Sequence, residues 1–368
     1  MALHWLPGNA LTLLENGGEF FPALQTALDA ARHEVYLETY IFADDPTGRA
    51  IAAALARAAA RGVTVRLLVD GFGGREFVDR LMDDLIARGV HVLIYRRDIS
   101  PFAIRRRRLR RLHRKLAVID AQVAFVGGIN ILSDLSEPDM AAPRHDYAVR
   151  VEGPLLAPIH ATVRHLWELV AWASFRHRPR LPTGPAACCE PRGEMEAAFL
   201  IRDNLRHRRD IEDAYLLGIA SARREIVLAN AYFLPGRRFR QALLDAARRG
   251  VRITLLIQGL ADHPLQQRAT RALYGQLLAG GLRIVEYHRS YLHAKVAVVD
   301  ERWATVGSSN IDPFSLLLAR EANVVIRDAA FATHLRDHLQ DAIAHGGREI
   351  SADAWQRGPR LQRLLNWA

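Results

Sequence analysis

The stretch LHRKLAVIDAQVAFVGGIN, residues 112–130, returns as LHAKVAVVDERWATVGSSN at residues 292–310. Both copies carry His-x-Lys, four residues and Asp, then Gly and Asn at the same offsets, and His113 and His293 stand 180 positions apart. Outward from these segments the likeness continues mainly as hydrophobic pattern. EVYLETYIFADDPTGRAIAAALARAAARGVTVRLLVDG (34–71) can be laid over EIVLANAYFLPGRRFRQALLDAARRGVRITLLIQG (225–259), each reading strand, turn, helix, Arg-Gly-Val, strand. β-Branched and aromatic runs mark the strands. The Ala/Leu/Arg-rich segments between them carry helical spacing and end at Gly62 or Gly250, residues suited to the left-handed position after a helix. A further helix and short strand follow in each copy, within 75–95 and 265–287. A repeat on this scale means two like units.

The expected fold class is α/β: two similar halves, each a mostly parallel mixed sheet flanked by helices, packed as a pseudo-twofold pair. Strands alternating with helices favour parallel sheets, and runs such as VRLLVD and ITLLIQ are apolar at nearly every position, as strands covered on both faces are. The 368 residues exceed the usual size of one domain. In RHRPRLPTGPAACCEPRG (176–193) Pro and Gly cluster and both periodicities lapse. The expected division is therefore 1–178, a linker at 179–193, and 194–368, with one motif in each half.

Lys and Arg exceed Asp and Glu by ten, which favours an anionic partner: nucleic acid, a phospholipid surface or a phosphorylated small molecule. The two cysteines, Cys188 and Cys189, are adjacent, a spacing that suits neither a disulfide framework nor a zinc site and fits a reducing compartment. The first residues lack a secretory pattern, and no apolar run approaches the roughly 20 residues that cross a bilayer. A cytoplasmic protein with peripheral membrane contact is expected.

Residues two apart on a strand face the same side, so His113 projects with Lys115 and His293 with Lys295. The imidazole can act as nucleophile or as acid and base near neutrality, and the ammonium can hold a phosphate oxygen. Asp120 and Asp300 end the apolar runs, where they either orient an imidazole or cap the following turn. A lone His-x-Lys is most often an ordinary strand rim. Its recurrence with Asp, Gly and Asn at equal offsets exceeds what packing requires. Asn130 and Asn310 follow the glycines with amides available to phosphate oxygens. No metal is implied, since the histidines form no His-Glu-x-x-His or Cys/His ligand set, and no cofactor motif is present; GFGG at residue 71 reads as a turn.

At these positions the chain resembles the phospholipase D superfamily, whose signature is His-x-Lys-x4-Asp followed by Gly-Gly or Gly-Ser and Asn. The segments LLENGGEFFPAL, LETYIFADDPTGRAI, RRLHRKLAVID, DYAVRVEGP and NAYFLPG look like the bacterial cardiolipin synthase branch without N-terminal transmembrane helices. The resemblance implies one active site between the halves, with His113 as nucleophile and His293 as general acid and base. Lys115, Lys295, Asn130 and Asn310 would hold the phosphoryl oxygens. It further implies that Asp146 and Glu321, at matching places in the halves, orient a histidine across the interface; the structural alternative is an ion pair with Arg144 or Arg320. The implied reaction is phosphatidyl transfer between two phosphatidylglycerol molecules, with hydrolysis or cleavage of other phosphodiesters as the alternative.

Eight of the eleven residues from Arg105 to Lys115 are cationic. A charge run is usually a solvated face, but this one leads into the motif. Arg105, Arg106, Arg107 and Arg108, with Phe102 before them, are the expected contacts with an anionic membrane surface. Nucleic acid is the disfavoured partner, because no aromatic residues interleave with the cations to stack bases. The oligomeric state is left open; fused halves allow a monomer.

Overall fold

The computed structural model describes residues 3–96, 110–135, 142–175, 184–203, 205–260 and 264–357. In the first half the strands are β1 (Leu6–Glu15), β2 (Glu34–Thr39), β3 (Thr64–Asp70), β4 (His91–Tyr95), β5 (Lys115–Ile119), β6 (Val123–Gly127) and β7 (Tyr147–Glu152). The second half has β8 (Met195–Arg202), β9 (Glu225–Asn230), β10 (Arg252–Gln258), β11 (Arg283–Tyr287), β12 (Lys295–Val299), β13 (Trp303–Gly307), β14 (Glu321–Arg327) and β15 (Gly347–Ile350). They form a single 15-stranded sheet in the order β15, β11, β10, β9, β12, β13, β14, β8, β1, β7, β6, β5, β2, β3, β4. Reading outward from the β8–β1 pair, the next six strands on each side repeat one another, which is the pseudo-twofold arrangement, and β15 adds an edge strand to the second half.

Strand direction corrects the sequence reading. Only β2–β3–β4 and β9–β10–β11 run parallel, joined through helices as expected; the remaining pairs are antiparallel. Each half is therefore mixed, with antiparallel pairs in the majority. The cause lies in the motif itself. Asp120 and Ala121 have φ of 50° and 52°, and Asp300 and Glu301 of 52° and 55°, the left-handed pair of a type I′ turn. A turn this tight, with three residues between paired strand ends, joins only antiparallel neighbours, so β5 folds back on β6 and β12 on β13.

Helices cover both faces. On one face Ile159, Val163 and Leu166 of the helix Leu156–Phe175, and Phe331, Leu335 and Leu339 of the helix Ala329–Gly346, share a single buried cluster that crosses the junction of the halves. On the other face each half has its own cluster, around Leu24, Leu28 and Leu55 in the first and Tyr215, Phe239 and Leu243 in the second. The halves thus share one core layer, and Leu335→Ala there would cost about 2–5 kcal/mol. Residues 184–194 contain neither helix nor strand. Among the described residues no helix is long and apolar enough to cross a membrane.

Candidate active site

His113 precedes β5 and Lys115 opens it; His293 and Lys295 stand in the same relation to β12. Each segment is pinned at its backbone by both halves. The Leu112 N–H donates to Asp70 Oδ2 at 2.7 Å and the His113 N–H to the Arg320 carbonyl at 3.0 Å. In the second half the Leu292 N–H donates to Gln258 Oε1 at 3.0 Å and the His293 N–H to the His145 carbonyl at 2.8 Å. Asp70 and Gln258 are both buried and end equivalent strands. Their signal in the sequence was a polar residue closing each of two aligned apolar runs.

Arg320 and His145 immediately precede Glu321 and Asp146, so the same crossing brings each carboxylate to the opposite imidazole. His113 Nδ1 lies 3.0 and 3.1 Å from the two Glu321 oxygens, and His293 Nδ1 lies 2.6 Å from Asp146 Oδ2. A carboxylate at Nδ1 accepts its proton and leaves Nε2 as the working nitrogen. The acids differ in length, and their surroundings differ to match. Ser308 donates its hydroxyl to Glu321 Oε2 at 2.5 Å, whereas the equivalent Gly128 leaves room for the shorter Asp146, whose carboxylate any Cβ there would overlap.

The lysines complete a compact charged cluster. Lys115 Nζ donates to the His113 carbonyl at 2.7 Å; Lys295 Nζ lies 2.9 Å from His293 Nδ1 and 3.8 Å from Asp146 Oδ2. Burial holds His113 below the ordinary imidazole value against the pull of Glu321, with Lys115 and Lys295 adding to the depression. Burial also drives His293 well below that value, reinforced by Lys295, Arg144, Lys115 and His113. Lys115 is brought down to about 7, first by burial and then by Lys295. Two lysines thus share a buried site with two imidazoles and two carboxylates, and their mutual repulsion, seen in the lowered Lys115 value, is relieved by an entering anion.

Of the two roles open to Asp120 and Asp300, orienting an imidazole or securing the turn, the hydrogen bonds give the second, so neither is a catalytic residue. Asp120 accepts from the N–H groups of Arg32, His33 and Glu34 at 2.7–2.9 Å, and Asp300 from those of Arg223, Arg224 and Glu225 at 2.8–2.9 Å. They lie five residues beyond Lys115 and Lys295, roughly 16 Å along the strand. Burial opposes ionisation of Asp300, but the three donors outweigh it and hold its carboxyl below the usual range. The triple acceptance secures a left-handed pair in which neither residue is glycine.

Asn130 and Asn310 are both buried beside the motif strands. Asn130 Oδ1 accepts from the Ile41 N–H at 3.2 Å, while Asn310 Oδ1 is buried without a hydrogen-bond partner. Tyr40, which the sequence reading passed over, packs its ring 5.0 Å from that of His113 and 5.6 Å from Lys115 Nζ. Gly73 of the GFGG turn makes room for this ring. Arg105, Arg106, Arg107, Arg108 and Phe102 lie outside the described residues. Among the described residues no group of three His, Cys, Asp or Glu is arranged to hold a metal ion.

Paired halves, each giving one His–Lys set and one carboxylate to the other's imidazole, define a phospholipase D-type site. The family described as cardiolipin synthase, PLD-like domain, matches residues 24–137 and 215–343, which contain the two motifs, and the chain belongs to that family. Cardiolipin synthase B of Escherichia coli K12 is 42% identical over 360 residues, covering 95% of this chain and 84% of the relative. Cardiolipin synthase 1 of Bacillus anthracis is 26% identical over 361 residues, covering 96% and 70%. Among solved structures, phosphatidylserine synthase of Haemophilus influenzae Rd KW20 is similar in fold, with a TM-score of 0.74 at 13% identity, covering 99% of this chain and 93% of that one.

Proposed function

We propose that the protein is a phosphatidyltransferase that moves a phosphatidyl group from one phosphatidylglycerol to the terminal hydroxyl of another, yielding cardiolipin and glycerol. The observation that carries this is the reciprocal pairing of His113 with Glu321 and His293 with Asp146, each across the junction of the halves. It stands in a chain 42% identical to a cardiolipin synthase.

With Nδ1–H held by Glu321, His113 presents the Nε2 lone pair to phosphorus. The bond to the departing glycerol oxygen breaks as His293, protonated and held by Asp146, gives that oxygen its Nε2 proton. The phosphatidyl group then rests on His113. The hydroxyl of the second phosphatidylglycerol loses its proton to His293 and attacks phosphorus, freeing His113 and restoring the acid. Lys115, Lys295, Asn130 and Asn310 hold the non-bridging oxygens. The order of the histidines follows the resemblance. Binding of the phosphodiester anion offsets the crowding of cations and raises the imidazole pKa values, so that the proton needed on His293 arrives with the substrate.

The partner is an anionic phospholipid surface at the cytoplasmic face of the cell membrane, approached peripherally; the net charge of +10 supports this. The test is purified protein with phosphatidylglycerol vesicles in EDTA, and plasmid in parallel. Cardiolipin and glycerol in equal amounts are expected. Phosphatidic acid without cardiolipin would make water the acceptor, and nicked plasmid with inert lipid would overturn the lipid assignment.

A further inference from the structure

We infer that the active-site end carries a bilayer-docking ring built from both halves, with Phe72 and Leu135 from the first and Leu205 and Leu265 from the second as its apolar contacts. This rests on the lipid-transfer reading and adds how the site meets its lipid. The four are exposed by 44%, 58%, 78% and 80%, and they make up half of the large exposed hydrophobic residues among those described.

Each is tied to the site by its place in the chain. Phe72 follows β3, whose last residue Asp70 holds the Leu112 N–H beside His113. Leu265 lies in the first turn of the helix Pro264–Ala272 that comes after β10, whose last residue Gln258 holds the Leu292 N–H beside His293, so the two follow equivalent strands. Leu135 adjoins Asp134, whose carbonyl accepts from the Arg144 N–H two residues before Asp146. Leu205 lies in a turn closed on Asp203, directly after Arg202, which faces Glu321 in the β8–β14 register.

Single exposed hydrophobic residues are ordinary on a protein surface. These differ in lying at the end of the strands that carries both motifs, and three of the four have cations close by. Arg111 and Arg75 lie 4.8 and 5.0 Å from the Phe72 ring. Exposed Arg206 and Arg208 follow Leu205, and exposed Arg268 is three residues beyond Leu265. A protein partner asks for one contiguous apolar patch; separated apolar tips among guanidinium groups suit a surface whose anionic layer covers hydrocarbon.

The experiment measures sedimentation with phosphatidylcholine vesicles containing phosphatidylglycerol. It compares the wild type, Phe72→Ser/Leu265→Ser, Leu135→Ser/Leu205→Ser, and the control Ile86→Ser/Leu217→Ser, whose exposed residues lie near the C-terminal ends of helices Met82–Ala87 and Asp210–Ser221. Turnover is read on the same vesicles and on a short-chain phosphatidylglycerol kept monomeric. Each ring variant should bind vesicles roughly tenfold or more weakly. Vesicle turnover should fall alongside, monomeric turnover should persist, and the control should match the wild type. Ring variants that sediment like the wild type, or a control that loses as much, would overturn the ring. So would a wild-type dimer that only the ring variants dissociate. A wild type inert on the monomeric lipid contradicts the transfer reading instead, and sedimentation still decides the ring.

Discussion

Replacing Glu321 by Gln keeps the size and one acceptor oxygen but removes the charge that faces His113. The carboxylate oxygens sit 3.0 and 3.1 Å from Nδ1, inside a site where Glu321 is fully buried. The charge centres of an imidazolium and a carboxylate in this arrangement are about 4 Å apart, and at an effective dielectric of about 20 their attraction is about 4 kcal/mol. The positive charge that forms on His113 when its Nε2 bonds to phosphorus loses that support. About 4 kcal/mol on the barrier is a factor of roughly 10³ in kcat. Gln can also turn its amide toward Nδ1 and favour the wrong tautomer, so roughly 10³ is a lower bound. The assay is turnover of a monomeric short-chain phosphatidylglycerol, with a thermal melt to establish that the variant is folded. Removing the carboxylate also lowers the His113 pKa further, so any limb of the pH profile that reports His113 protonation should move to lower pH. A folded Glu321→Gln protein within tenfold of wild-type kcat would refute the reasoning.

Other consequences follow from the same geometry. Lys115 is held near 7, and an occupied site keeps its ammonium charged; occupancy therefore takes up a proton and rising pH works against it. Competitive inhibition by tungstate should weaken by up to about tenfold per pH unit above about 7, and a flat profile would count against this. Asp300→Ala frees three backbone N–H groups and should cost about 2–4 kcal/mol in denaturant unfolding, with activity lost only in proportion to folded protein. Because its folded pKa is lowered, the Asp300 contribution is present above the unfolded carboxyl value and fades as pH falls through the folded one. Arg114→Ala strands the buried Glu38 that it bonds at 2.9 Å and should cost about 3–5 kcal/mol. Adding Glu38→Ala should restore part of that, since the equivalent residues in the second half are Ala294 and Ala229.

The duplication made most of the fold legible. Two aligned patterns with apolar strands and Gly-ended helices define two α/β halves, and the parallel triplets lie where the helical connections were read. Strand direction at the motif was hidden because Asp120-Ala121 and Asp300-Glu301 contain no glycine to announce a left-handed turn. Their conformation is held by acceptors for N–H groups at residues 32–34 and 223–225, far away in sequence. The pairing of His113 with Lys115 and of His293 with Lys295 could be read from the repeat, because their spacing is a local matter; that the two pairs meet was implied by the family resemblance. Ser308 could not, since its hydroxyl matters only once β14 brings Glu321 alongside. Tyr40 is likewise visible only in three dimensions, where the GFGG turn shelves its ring against His113.

The central claim is that one imidazole from each half serves the same phosphorus atom. Its most direct test is trapping with a p-nitrophenyl phosphodiester, a leaving group that departs without an acid, followed by mapping of the phosphorylated peptide. His293→Ala should accumulate the adduct on His113, and His113→Ala should accumulate none. An adduct elsewhere, or either single variant turning over phosphatidylglycerol at the wild-type rate, would contradict the account.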